Sequence, residues 1–189
     1  MFNISDFSTS LSSAVDKQDA ESMKAVSDAL YDHILGLEDD LEESIFQIIL
    51  EFMQKPKFQN MEGAWQLLFV FKSGWEWLSD DQRQRLLPVL EETYPLYTDW
   101  MSCFTISGLL GEFYCDEQAL IALSRLARAE AEMPRSFVPH GLEHIVAGSS
   151  NVQLSNNALQ LLSEMKGDAS ERVRNEVERS LGHLAQEGL

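Results

Sequence analysis

Positive charge is scarce in this chain. Its 189 residues hold 14 Lys and Arg against 31 Asp and Glu, a formal net charge of −17 at pH 7. A nucleic-acid-binding surface needs Lys and Arg to displace condensed counterions. The few basic clusters, Arg125 with Arg128 and Arg172 with Arg174 and Arg179, are interleaved with acids. The sign of the charge argues against nucleic acid and against anionic membranes as partners. Cysteine is scarce as well. Cys103 and Cys115 stand among apolar residues, make no disulfide framework, and read as buried reduced thiols. Long hydrophobic runs are missing: the richest stretch, 64–71, is broken by Gln66 and followed by Lys72, far short of a membrane span. Residues 1–6 have no basic n-region and no apolar h-region, so the chain reads as cytoplasmic, without a signal peptide. There is no Gly-x-Ser-x-Gly and no P-loop, and Gly108-Leu109-Leu110-Gly111 belongs to a helical pattern rather than a phosphate cradle. Read this way, the chain is not an enzyme and calls for no cofactor.

What is present is apolar material. Hydrophobic residues make up 44 % of the chain, with 10 Phe, 4 Trp and 4 Tyr. That is enough to build a core and too much for a disordered acidic tail. Its spacing is helical throughout, with no alternating strand. Met23, Val26, Leu30, Ile34 and Leu37 share one face, and Leu41, Ile45, Ile48, Ile49 and Phe52 share another. Residues 64–78 are apolar nearly all round, which predicts a central helix covered on several sides, with Trp65 in the core. Ser79-Asp80-Asp81-Gln82 reads as a capping box, and Pro88 predicts a kink or an early end to the helix it starts. Further helices are expected over roughly 97–111, 116–131, 136–147, 155–166 and 169–186, with Leu181 buried. Met133-Pro134, Gly148-Ser149-Ser150-Asn151 and Gly167-Asp168 punctuate them. The fold expected is all-α, of about nine or ten helices, as a single domain over residues 1–189.

Helices follow one another about every twenty residues, joined by short turns, as stacked hairpins do. Ala158-Leu159-Gln160-Leu161-Leu162, then Gly167-Asp168, then Val173-Arg174, Val177 and Leu181-Gly182, resembles the HEAT-repeat pattern. Leu86-Leu87-Pro88-Val89-Leu90 resembles the proline-kinked first helix of such a repeat. The resemblance implies a HEAT-like solenoid of antiparallel hairpins over 61–189, with divergent helices over 1–60. It also implies that Asp168 and Arg174 support the stack rather than a reaction.

Two constellations could carry chemistry. His140-Gly141-Leu142-Glu143-His144 matches H-x-x-E-H, in which two histidines one helical turn apart share a zinc and the Glu acts as base. Pro139 and Gly141 weaken the first turn of such a helix, and the third ligand of that motif has no counterpart downstream. A metal-dependent hydrolase on His140, Glu143 and His144 is therefore the least favoured reading, and no metal is expected. The second constellation is acidic and aromatic. Residues 1–118 hold 22 Asp and Glu against 7 Lys and Arg. The candidate contacts are Asp39, Asp40, Glu42 and Glu43; Asp80 and Asp81; Glu91, Glu92, Tyr94, Tyr97, Asp99 and Trp100; and Glu112, Asp116 and Glu117. Carboxylates steer and orient a basic protein, while interspersed aromatics supply buried anchor area. As helix caps and solubilising charge, the same acids would need no partner at all.

A small, strongly acidic helical-repeat chain resembles the bacterial immunity proteins of contact-dependent inhibition and related polymorphic toxin systems. The resemblance lies in size, charge and HEAT-like architecture. It implies a basic toxin as partner, a nuclease and foremost an RNase, captured electrostatically and blocked at its active-site cleft. The alternative is a HEAT-like adaptor or scaffold that holds a protein or peptide without inhibiting it.

Overall fold

The computed structural model describes residues 2–37 and 40–188, and Asp39 lies outside them. All regular structure among the described residues is helical. They form eleven α-helices, two more than the apolar faces read from the sequence. The chain folds as two compact units, residues 1–105 and 106–189.

The first unit begins with α1 (Ile4–Lys17), α2 (Ala20–Ile34) and α3 (Glu43–Met53). α1 is one of the two unexpected helices. Five serines hide it from propensity, yet Phe7, Leu11, Ala14 and Val15 share its buried face, and the Asn3 side chain accepts from the Ser5 and Asp6 amides. The other is α4 (Pro56–Gln59), a single turn started by Pro56. α5 (Ala64–Ser73) follows Gly63, whose φ of +93° places it in the left-handed region that glycine tolerates. α6 (Asp80–Thr93) carries the expected capping box between Ser79 and Gln82. It does not stop at Pro88, which is exposed, but continues to Thr93. α7 (Trp100–Gly108) ends the unit and runs past its boundary. α2 packs against α1 and α5, and α3 packs against α1 and α6. Gln82 does more than cap: its Nε2 donates to the Leu41 carbonyl at 2.8 Å, tying the start of α6 to the segment before α3.

α5 departs from expectation. Leu67, Leu68, Val70 and Phe71 are buried, but Trp65 is only half-buried and Phe69 is 46 % exposed. The helix is covered on some sides and open on another.

In the second unit a turn of π-helix, Leu109–Tyr114, leads to α8 (Glu117–Leu126), α9 (Glu132–Gly148), α10 (Val152–Glu164) and α11 (Glu171–Glu187). α9 is the hub, packing on the π-turn, α8, α10 and α11. It runs through Pro139, which the sequence reading took as a weak first turn. Gly141 has a packing role: a Cβ there would lie 2.8 Å from the Ser107 carbonyl oxygen, and one at Gly111 would lie 2.1 Å from the Gly141 carbonyl oxygen. Two backbones meet there with no room for a side chain. α11 buries Val173, Val177 and Leu184, while Leu181 is half-buried rather than in the core.

Candidate functional site

The acidic and aromatic residues singled out above sort into three kinds. Some are core. Tyr94 and Tyr97 are 0 % and 1 % exposed, and burial pushes the Tyr97 hydroxyl pKa upward. Tyr97 packs edge-on to Phe58 with ring centroids 6.3 Å apart. Neither tyrosine can touch a partner. The physical reason is the 3₁₀ turn Tyr94–Leu96, which turns both rings inward and leaves Leu96 outside.

Others are held by the chain itself. Glu43 takes a two-pronged contact from Arg85, both distances 2.7 Å, and also accepts from Gln47 at 2.8 Å. These hydrogen bonds hold the Glu43 carboxyl down at a pKa of about 2. Asp81 binds the same guanidinium at 2.8 Å, and Asp80 faces Arg83 at 3.4 Å. Glu42 is half-buried and meets the His33 ring at 3.0 Å. Asp99 accepts from both the amide and the hydroxyl of Ser102 at 2.9 Å, and Asp116 caps α8 through the Ala119 amide at 2.8 Å. For these acids, capping and internal pairing describe what the carboxylate does within the fold.

The third kind faces solvent. Asp40, Glu92, Glu112 and Glu117 are exposed and Glu91 is half-buried. Trp100 is 53 % exposed. It has company that the sequence reading missed: Leu96 at 52 % and Phe104 at 37 %. Trp100 and Phe104 are one turn apart on α7 and so share a face. α7 buries its polar residues Ser102, Thr105 and Ser107 and leaves these two rings outside, the reverse of what a polar-outward pattern predicts.

Charge is unequal between the units. Residues 1–105 contain nineteen carboxylates and seven cations, a net of −12, and residues 106–189 carry a net of −5. Several of the seven cations are engaged locally: Lys24 with Asp28, Lys57 with Asp16, Arg83 with Asp80, and Arg85 with Glu43 and Asp81. Lys55 lies over the Phe52 ring at 3.5 Å. The carboxylates of this unit outnumber its cations, and Leu96, Trp100 and Phe104 belong to the same unit.

The H-x-x-E-H segment is placed differently from a zinc site. His140 and His144 meet edge to face with centroids 4.6 Å apart, and Glu143 pairs with His183 of α11 at 3.1 Å. Among the described residues no group of three or more His, Cys, Asp or Glu is gathered to hold a metal ion. Cys103 is buried and Cys115 half-buried. Burial and the neighbouring Asp116 charge raise the Cys115 pKa. Among the described residues no helix is long and apolar enough to cross a membrane.

The class these observations define is an all-α chain with an acidic first unit that exposes two aromatic side chains one turn apart on α7. Comparison with protein-family models, with curated proteins and with solved structures gives no match.

Proposed function

We propose that this chain is an immunity protein that binds and neutralises a basic nuclease toxin, an RNase foremost, by electrostatic capture. The observation that carries the reading is the pairing, within one compact unit, of a net charge of −12 with the exposed side chains of Leu96, Trp100 and Phe104. A nuclease needs a basic cleft for its substrate. An acidic surface draws that cleft in quickly, and an aromatic anchor supplies the apolar contact that slows release. The Arg135–Asp168 pair, which links α9 to the turn before α11, supports a HEAT-like stack in the second unit. In this reading that stack is the scaffold and the first unit is the contact surface.

The test is co-purification with, and inhibition of, the product of the gene immediately upstream. The expected result is a complex whose association rate falls steeply with salt. Trp100→Ala is expected to weaken binding by about 2 kcal/mol or more while the chain stays folded, because about half of the side chain lies outside the core. Asp40→Lys combined with Glu92→Lys is expected to slow association by about tenfold. An association rate indifferent to salt and to these charge reversals rules electrostatic capture out.

A further inference from the structure

α2 and α5 pack together but leave between them a groove of about 360 Å³. Tyr31 of α2 and Trp65 and Phe69 of α5 give it aromatic walls. The Trp65 and Phe69 rings stand edge to face with centroids 6.4 Å apart, and Phe69 is 46 % exposed. Two lining residues, Ser27 and Gln66, also carry buried side-chain oxygens. Ser27 is 4 % exposed, and its Oγ bonds to nothing among the described residues, not even the carbonyl one turn back that a helical serine usually takes. The Gln66 Oε1 is likewise buried without a donor among them. Buried oxygens of this kind are normally satisfied. Asp28 also lines the groove with a largely exposed carboxylate, and Lys24, the cation of the lining, is already paired with it.

We propose that this groove receives a guanidinium group, an arginine side chain presented by a basic protein. The flat face of the cation stacks on the aromatic walls, and its in-plane N–H fork reaches the oxygens of Gln66, Ser27 and Asp28. An ammonium has no plane to stack. An aliphatic side chain leaves both oxygens bare, and an anion meets the Asp28 carboxylate and the net negative charge of the unit. The net charge of −12 on the unit that holds the groove favours the same ligand. The inference rests on the reading of a basic partner and names the contact chemistry that such a partner would use.

The test titrates the isotopically labelled full chain with N-acetyl-arginine-N-methylamide and with the matched lysine and norleucine compounds, followed by NMR. Saturable shifts at the Trp65 indole and the Gln66 side-chain amide are expected with arginine, with lysine and norleucine at least about fivefold weaker. Phe69→Ala and Asp28→Asn are expected to weaken arginine binding by about tenfold each in chains that still unfold cooperatively above the assay temperature. Equal responses to the three compounds, or none at these resonances, overturn the assignment. The same two variants are then assayed against the toxin. Undiminished inhibition overturns the arginine contact and leaves electrostatic capture standing. Arginine binding by a chain that captures no basic toxin sinks the capture reading and leaves the groove assignment standing.

Discussion

A β-carbon on Gly111 would sit 2.1 Å from the Gly141 carbonyl oxygen, and because both partners are backbone no rotamer change relieves the clash. Gly111→Ala is expected to destabilise the protein by about 2–4 kcal/mol, read from chemical denaturation. Gly182 presents the opposite case. It lies inside α11, exposed, with nothing within 4 Å of its would-be Cβ. Gly182→Ala is expected to stabilise by about 0.5–1 kcal/mol through helix propensity alone. Both glycines lie within helices, so nothing in the local sequence separates them. The tyrosines show the same limit. Tyr94 and Tyr97 read as surface anchors beside acids, and their burial depends on contacts with distant residues, such as that of Tyr97 with Phe58.

At the scale of elements, the link between α9 and the turn before α11 can be tested through its chemistry. Arg135 Nε donates to Asp168 at 2.9 Å, with both side chains mostly buried, and Arg174 donates to the Asp168 and Ala169 carbonyls. Burial acts to raise the Asp168 pKa, but the hydrogen bonds from Arg135 and the Ser170 amide, with the charges of Arg135 and Arg174, outweigh it and hold the carboxyl below its ordinary value. A carboxylate depressed in the folded state contributes stability that is complete above the unfolded pKa of about 4 and is lost as pH falls through the folded one. Asp168→Asn is therefore expected to lower stability at pH 7 and to flatten the acid limb of the stability profile below about pH 4, measured by urea titration across pH. The resemblance to a HEAT repeat implied that Asp168 and Arg174 are structural. It did not show Arg135 as the partner, because that contact spans 33 residues and an intervening helix. The capping box at Ser79 was legible because its whole geometry lies within four residues, whereas continuation through Pro88 and Pro139 was not, since packing of the flanking turns decides it.

For the whole molecule, a net charge of −17 is a self-repulsion that folding must overcome. Raising NaCl from about 0.02 M to about 0.5 M at pH 7 is expected to move the denaturation midpoint upward, as screening relieves repulsion faster than it weakens the exposed ion pairs. The same change is expected to slow capture of a basic partner, so stability and association respond to salt with opposite signs. A drop in the midpoint over that range would mean that the surface pairs, not the excess charge, dominate.

Helix content, the positions of most helices and the excess of negative charge were settled by the sequence alone, because each follows from spacing or composition within one turn or from a sum over residues. Which acids are occupied by Arg83 and Arg85, which aromatics face outward, and the existence of the groove between α2 and α5 were decided by tertiary structure. These depend on residues brought together from different helices, and on a helix apolar nearly all round the sequence holds no preference for the face that packing will leave uncovered.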